Sequence, residues 1–429
     1  MEYQSMRGLW FSLLILALLV LLAACATLEV GIEHTPTPDY AALHLRPTLT
    51  APPLPSPTST PLPTAAVALP GRLVYESAGD IWIVERGQSP CVLLTGGRNP
   101  NLSPVGDRLL FFRANPELSS LSDLWLADFT CPAAPAPCQV NERRLVGPAE
   151  FGGPLVYGLA WSPDGRTVAL TTGSGAKRVY SEDLWLVDVE TGDYRQVLDD
   201  GGGVPDYSPD GARIALAVPG GGWNQGQLSL IAADGSDYRP LFDHLIYQEE
   251  RWLPGGALIV GLIRLAQVAE AEVTAELWQA PVVGEPVHLA TIPAAHSFRW
   301  SADGQRLAYL ADDSTGWLHI AQADGSEPVA VPSTDDRTRP HSWSPGGQSL
   351  AVIHDGQYFF VPDDPDPALI PMPAPFWLWL DDDSYLAAEW VTDDPQAGRG
   401  HFEVSRTWLD GRRQFLFAAE SLNGLAYWP

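Results

Sequence analysis

The chain has 429 residues, with 52 acidic and 25 basic side chains, and its formal net charge is −27. A protein this acidic repels phosphate backbones, so we exclude nucleic acid as a partner. We interpret the acidity as a property of a soluble surface rather than as a sign of cation binding.

Residues 1–24 are predicted to be a signal peptide rather than part of the fold. Arg7 precedes an uncharged apolar run over residues 9–24, which is shorter than the roughly 20 residues of a spanning helix. The run ends in Leu22-Ala23-Ala24-Cys25, which resembles the lipobox of bacterial lipoproteins. That resemblance implies a lipid on Cys25 and an extracytoplasmic, membrane-anchored lipoprotein of the cell envelope. The alternative is an ordinary signal peptide with an incidental cysteine.

Residues 25–70 are predicted to be the lipidated cysteine followed by a linker. This stretch is rich in proline and threonine, as in residues 51–58, and proline runs neither pair as strands nor coil as helices. We expect an extended, semi-rigid spacer between the membrane and the folded domain, residues 71–429.

The folded domain repeats one corner, best seen in Trp161-Ser162-Pro163-Asp164-Gly165, which an apolar run follows. Glycine takes positive φ without steric cost and aspartate hydrogen-bonds its own backbone, so Asp-Gly between apolar stretches predicts a tight turn between strands. Related corners begin at Leu102, Tyr207, Trp252, Trp300, Trp343, Trp379 and Tyr427.

Further strands and turns follow each corner. The second strands contain Leu73, Leu109, Val168, Ile214, Leu258, Leu307, Leu350 and Leu386. Third strands such as residues 183–187 come next, and we predict no helix. Four-stranded antiparallel units at this spacing predict an all-β fold, a β-propeller of eight blades of about 45 residues each. Seven blades of about 51 residues are the alternative.

The two ends of the domain complement each other. The first unit enters at its second strand, whereas residues 422–428 form a first strand with no blade after it. We therefore predict that these strands pair and close the ring, which removes two exposed sheet edges.

The segment from Trp161 to Leu170 with residues 183–187, and the segment from Trp300 to Leu310, resemble the repeats of the TolB-type, or WD-like, β-propeller family. The resemblance covers residues 71–429 and implies the propeller fold. This repeat occurs in periplasmic scaffolds, peptidase accessory domains and lyases, so it implies no particular activity. A role in the Tol system is not implied, because a Pro-rich linker precedes the repeats here in place of an α/β domain.

Cys131 and Cys138 bracket a Pro-rich insertion, and export implies an oxidising compartment. We predict a disulfide between them. The competing pairing joins Cys91 to one of the two.

First strands line the central channel of a propeller, so the ionisable residues on them are candidate ligand-binding groups. They are Glu249, Glu250, Arg251, His296, Arg299 and His341. No spacing typical of a metal site is present, no cofactor is predicted, and the acidic runs lack the alternation of a calcium loop.

These features predict a lipid-anchored β-propeller that acts as a scaffold for a protein or ligand, without catalysis. Its partner, a protein or a glycan, is expected at one mouth of the ring. No nucleophile elbow is present. The alternative is a polysaccharide lyase or hydrolase that uses His296, Arg299 and His341 in the channel.

Overall fold

The computed structural model describes residues 69–429, apart from residues 118–120, 133–136, 152–154, 174–181, 200–202, 219–226, 243–245, 265–273, 282, 312–315 and 395–398. The predicted signal peptide, Cys25 and nearly all of the predicted linker lie outside the described residues.

The described residues form 32 strands and one single-turn helix. The first sixteen strands are β1 (Arg72–Ser77), β2 (Asp80–Val84), β3 (Cys91–Leu94), β4 (Arg98–Leu102), β5 (Arg108–Ala114), β6 (Ser122–Thr130), β7 (Gln139–Val146), β8 (Leu155–Trp161), β9 (Thr167–Gly173), β10 (Glu182–Asp188), β11 (Tyr194–Leu198), β12 (Val204–Tyr207), β13 (Arg213–Val218), β14 (Gln227–Ala232), β15 (Arg239–Phe242) and β16 (Ile246–Trp252).

The remaining strands are β17 (Leu258–Arg264), β18 (Thr274–Ala280), β19 (Val287–Pro293), β20 (His296–Trp300), β21 (Arg306–Leu310), β22 (Leu318–Gln322), β23 (Val329–Ala330), β24 (Thr338–Trp343), β25 (Ser349–His354), β26 (Gln357–Pro362), β27 (Ile370–Pro371), β28 (Phe376–Trp379), β29 (Ser384–Asp394), β30 (Arg399–Trp408), β31 (Arg413–Ala419) and β32 (Asn423–Trp428). The helix, α1 (Pro148–Phe151), was not predicted. No helix in the described part of the chain has the length and apolarity that a membrane span needs.

The strands form eight four-stranded antiparallel sheets, which confirms the predicted eight-bladed propeller. Blade 1 has the order β32-β1-β2-β3, and blades 2 to 8 follow in chain order from β4. The inner strand of each blade is its first: β32, β4, β8, β12, β16, β20, β24 and β28. The seven-blade alternative is wrong, because the described strands form eight sheets.

The two ends of the domain close the ring as predicted. The C-terminal β32 pairs antiparallel with β1, with Arg72 opposite Trp428 and Leu73 opposite Tyr427. Two backbone amides reinforce the junction: Ser421 donates to the Ser77 hydroxyl at 3.2 Å, and Ala78 donates to the Ser421 hydroxyl at 3.0 Å.

Each corner is a hydrogen-bonded turn. In the Trp161 corner, Gly165 has a φ of 67°, and its amide donates to the Ser162 carbonyl at 2.8 Å. The Ser162 hydroxyl donates to Asp164 Oδ1 at 2.7 Å and accepts from the Thr167 amide at 2.9 Å. The corners at Ser208 and Ser301 repeat this pattern. Aspartate and glycine therefore specify the turn, as the sequence predicted, and the serine hydroxyl, to which the sequence analysis gave no role, also stabilises it.

The hydrophobic core is divided among the blade interfaces. Eight buried clusters each join two neighbouring blades, and they close the ring. One example lies between blades 8 and 1, where Leu73 and Tyr75 share a cluster with Leu386 and Phe417. A single blade could not bury both of its faces, so packing of blade on blade supplies most of the apolar burial.

Candidate functional site

The structure brings the predicted channel residues onto three successive inner strands. Glu249, Glu250 and Arg251 lie on β16, His296 and Arg299 on β20, and His341 on β24. The inner strands β16, β20 and β24 are neighbours around the ring. We refer to these six residues as the channel cluster.

Arg299 links three blades. Its guanidinium forms an ion pair with Glu249 of blade 5, and its Nε donates to the His341 carbonyl of blade 7 at 3.3 Å. The Arg299 side chain is 43% exposed, while that of Glu249 is 19% exposed. Arg299 therefore remains partly accessible to a ligand even though it is held on both sides.

The two histidines occupy separate positions. His296 Nδ1 lies 2.9 Å from the Ser297 hydroxyl, and His341 Nδ1 lies 3.1 Å from the Ser342 hydroxyl. The His341 ring packs edge-on against Phe376 of blade 8, with ring centres 5.4 Å apart. Among the described residues, neither histidine of the cluster contacts a carboxylate.

Arg251 is directed to another part of the ring. Its Nη2 donates to the Ala302 carbonyl, in the corner of the next blade, at 3.1 Å. The side chain thus supports a turn, although its charge still acts on nearby carboxyl groups.

Asp206, on the inner strand β12, interacts with the channel cluster. The sequence analysis did not identify it as a candidate residue. Its charge contributes to the raised pKa of Glu250 on the next blade, so the two carboxyls interact across the blade boundary. The residue stands one position before the corner residue Tyr207. The corresponding position in the next two blades holds Arg251 and Arg299, and that correspondence was a signal in the sequence.

Burial dominates the electrostatics of this site. It raises the pKa of Glu249 to about 7 against the opposing attraction of Arg299, and it raises the pKa of Glu250 to about 7 together with the charge of Asp206. Desolvation by the surrounding protein atoms also raises the pKa of Asp206 and, with nearby arginines, lowers the pKa values of His296 and His341, although Asp206 and His341 are solvent-exposed. Near neutral pH the cluster therefore offers both hydrogen-bond donors and acceptors with a reduced net charge.

Irregular backbone positions these side chains. The pairing of each of the three strands with its neighbour shifts register at a bulge: between Tyr247 and Glu249, between His296 and Arg299, and between Pro340 and Ser342. Ser297 in one bulge has a φ of 57°. A bulge changes which face of the strand the following side chains occupy.

The described residues contain no group of three or more histidine, cysteine, aspartate or glutamate side chains that could hold a metal ion. Two of the acidic runs carry structural contacts instead. Asp363 forms an ion pair with Arg306 at 2.7 Å, and Asp381 forms one with Arg406 at 2.5 Å.

A disulfide joins Cys131 and Cys138, whose Cα atoms are 4.1 Å apart, and Cys91 is free. The Gln88 side chain, on blade 1, donates to the Pro132 carbonyl at 3.2 Å and so ties the insertion to the neighbouring blade.

No protein-family model and no curated protein matches the chain. Among solved structures, a eukaryotic initiation factor is 12% identical with a TM-score of 0.51, and the match covers 83% of this chain and 97% of that one. A prolyl endopeptidase is 14% identical with a TM-score of 0.50; 76% of this chain is covered, and the match spans only 50% of the endopeptidase. TolB from Acinetobacter baumannii is 17% identical over 60% of this chain and 62% of its own, with a TM-score of 0.33. The first two similarities agree with the fold, and the eight four-stranded sheets show that the chain is a β-propeller.

Proposed function

We propose that this protein is a lipid-anchored, extracytoplasmic scaffold that binds a partner at the ring axis through the channel cluster and does not catalyse a reaction. The observation that carries the proposal is the bridge made by Arg299, which joins Glu249 and His341 on neighbouring blades while staying 43% exposed. Rigid inner strands hold these groups in place, and preorganisation lowers the entropic cost of binding.

The chemistry of the cluster favours a hydroxyl-rich ligand, a glycan, over a strongly charged one. Glu249 and Glu250 have pKa values of about 7, so each carboxyl can both donate and accept hydrogen bonds near neutral pH. Arg299 adds N–H donors, and the His341 ring is held in place by its edge-on contact with the buried Phe376. A protein partner at the same mouth of the ring is the competing outcome of the test below.

Binding to a glycan array, together with a pull-down from solubilised envelopes, tests the proposal with the full-length chain. Arg299→Gln removes the charge and the bridge, and we expect it to abolish most of the binding. Arg412→Gln is the matched control, because Arg412 is 68% exposed and pairs with Asp410 in a turn between β30 and β31. Equal binding by the wild type and Arg299→Gln would contradict the proposal.

The second candidate function is a polysaccharide lyase or hydrolase. The observation in its favour is a carboxyl group, Glu250, with a pKa of about 7 beside Asp206, since a general acid requires such a raised pKa. The separation of both histidines from any described carboxylate argues against it. Cleavage of a glycan chain on the array by the wild type, and its loss in Glu250→Gln, would show that the protein is an enzyme rather than a scaffold.

The membrane anchor rests on Cys25 and has its own test. A labelled fatty acid should be incorporated into the wild type and not into Cys25→Ser, which should leave the membrane fraction. Labelling of Cys25→Ser at the wild-type level would contradict the anchor.

A further inference from the structure

The wall of the channel opposite the channel cluster has a different chemistry. The cluster lies on the inner strands of blades 5 to 7, and blade 2 stands opposite blade 6 in the ring of eight. A pocket of about 290 Å³ lies on this opposite wall. Residues of three successive inner strands, β32, β4 and β8, contribute to its lining. The pocket therefore spans the inner edges of blades 1, 2 and 3 and opens towards the axis.

Among the described residues, none that lines this pocket is ionisable. The channel cluster, in contrast, consists wholly of glutamate, arginine and histidine side chains. A charged group placed in the pocket would lose its water without gaining a partner of opposite charge. The pocket therefore favours a neutral group. Its volume is close to the lower end of the range of about 300–1,000 Å³ that is typical of small-molecule sites, so it suits a single small unit of a ligand.

Part of the lining is apolar. Phe112 on β5 and Leu159 on β8 are only partly buried, and both pack against the core cluster between blades 2 and 3. On the other side, Gly424 of β32 lies against β4: a Cβ atom there would be 2.7 Å from Pro100 Cδ and 3.2 Å from the Asn99 Cα. The pocket thus has an apolar surface on the side of blade 3 and closely packed backbone on the side of blade 1.

Asn101 supplies a first polar group. It stands one position before the corner residue of blade 2, and the corresponding position in blades 4, 5 and 6 holds Asp206, Arg251 and Arg299. The Asn101 carbonyl accepts the indole N–H of Trp161 at 3.4 Å, which holds its backbone in place. No described residue hydrogen-bonds to its side-chain amide, and both polar atoms of that amide remain accessible.

Asn99 supplies a second polar group. It lies in the bulge between Arg98 and Asn101 and has a φ of 50°, a conformation that asparagine adopts more readily than most residues. Its backbone amide donates to Glu76 Oε2 at 3.1 Å, which holds the bulge against blade 1. The residue is exposed, and no described residue hydrogen-bonds to its side-chain amide. Two amides, each able to donate and to accept, thus line one pocket.

We propose that this pocket binds the acetamido group of an N-acetylated amino sugar, an inference that rests on the glycan-binding function proposed above and names the class of glycan. An acetamido group has one N–H donor, one carbonyl acceptor and one methyl group. The amides of Asn99 and Asn101 complement the first two, and the surface of Phe112 and Leu159 receives the methyl group. A sugar with a free amino group would instead place an ammonium ion where no carboxylate lines the wall.

Calorimetric titration of the full-length chain with two pairs of neutral sugars tests the pocket. The members of each pair differ in carrying an acetamido or a hydroxyl group at C2: chitotetraose with cellotetraose, and N-acetylgalactosamine with galactose. We expect the acetylated member of at least one pair to bind at least tenfold more tightly, as additional hydrogen bonds allow. Equal affinities within both pairs would overturn this inference and leave the glycan-binding function in place. Absence of binding by all four sugars would also overturn it, and the glycan array would then test the function separately.

Three variants check the assignment. Asn101→Leu removes one amide and keeps the size of the side chain, so it should reduce the preference for the acetylated sugar at least fivefold. Asn99→Gly removes the other amide, tolerates the positive φ and should have a similar effect. Arg299→Gln should weaken both members of a pair alike and leave the preference unchanged, which separates the pocket from the channel cluster. Thermal melting establishes which variants are folded, and one folded asparagine variant is sufficient for the test.

Asn423→Leu is the matched control, because Asn423 is an exposed asparagine on the inner strand β32 and does not line the pocket. This variant should keep the preference of the wild type. A wild-type preference in a folded Asn101→Leu or Asn99→Gly variant would overturn the assignment, as would an equal loss of preference in Asn423→Leu.

Discussion

Trp252 donates its indole N–H to the carbonyl of Asp206 at 3.2 Å, across the boundary between blades 5 and 4. Trp252 belongs to the repeated corner that builds the ring, whereas the charge of Asp206 acts on Glu250 in the channel cluster. One hydrogen bond thus connects the repeat with the candidate site. Four corner tryptophans bond to backbone carbonyls of neighbouring inner strands. These bonds do not depend on which side chain the acceptor residue carries.

The bond from Trp343 to the Arg299 carbonyl, 2.9 Å long, should contribute measurably to stability. Trp343→Phe removes the donor and leaves a smaller ring at the interface of blades 6 and 7. We expect a loss of about 2–3 kcal/mol in the free energy of unfolding. Trp390→Phe is the control, because Trp390 is 49% exposed, and it should cost less than 1 kcal/mol. Equal losses in the two variants, measured by denaturant titration, would contradict this role of the corner.

Removal of residues 422–429 should destabilise the whole domain. The deletion removes β32, which is the inner strand of blade 1, and Leu422, which is buried between blades 8 and 1. It also exposes the edge of β1. We expect the melting temperature to fall by roughly 10 °C or more. An unchanged melting temperature would show that the ring does not depend on this strand.

The repetitive part of the architecture could be predicted from the sequence. A residue pattern that recurs in eight units gives eight independent indications of the same strands and turns. The corner at Trp161, the eight second strands and the pairing of the two ends were all predicted in this way. The candidate site was less accessible to prediction. Its geometry depends on bulges such as that between Pro340 and Ser342, which shift side chains to the other face and break simple alternation.

The contacts between blades could not be predicted from the sequence for a related reason. Asp206 and Glu250 are far apart in the chain and approach each other only because two inner strands are neighbours in the ring. The hydrogen bond from the Arg251 side chain to the Ala302 carbonyl likewise depends on the position of the next corner.

Glu250→Gln should change how stability depends on pH. The pKa of Glu250 is raised to about 7 in the folded state, so the folded protein binds its proton more tightly than the unfolded chain does. Its contribution to stability is therefore present at low pH and is lost as the pH rises towards 7. Relative to the wild type, Glu250→Gln should gain about 2 kcal/mol between pH 5 and pH 8.

Denaturant titrations at the two pH values measure this difference. Glu420→Gln, at an exposed position, serves as the control and should follow the wild type at both pH values. A constant offset between Glu250→Gln and the wild type would mean that Glu250 titrates alike in the folded and unfolded chains.

The disulfide pairing can be established chemically. Peptide mapping without reduction should recover Cys131 and Cys138 in one linked peptide, with Cys91 alkylated by iodoacetamide only slowly, because burial and the charge of Glu85 raise the pKa of its thiol. The double variant Cys131→Ser/Cys138→Ser should lose about 2 kcal/mol, as expected for a short closed loop. A linked peptide that contains Cys91 would support the alternative pairing.

Gly158 marks a point where two inner strands approach too closely for any side chain. A Cβ atom there would lie 2.2 Å from Pro205 Cδ and 3.0 Å from the Val204 Cα, so β8 and β12 would have to separate. Gly158→Ala should therefore cost about 1–3 kcal/mol, the range of overpacked cores. Gly255→Ala is the matched control, because nothing lies within 4 Å of its Cβ position, and it should leave the free energy of unfolding within about 0.5 kcal/mol of the wild type. If both variants unfold at the same denaturant concentration, the contact between β8 and β12 does not constrain the ring.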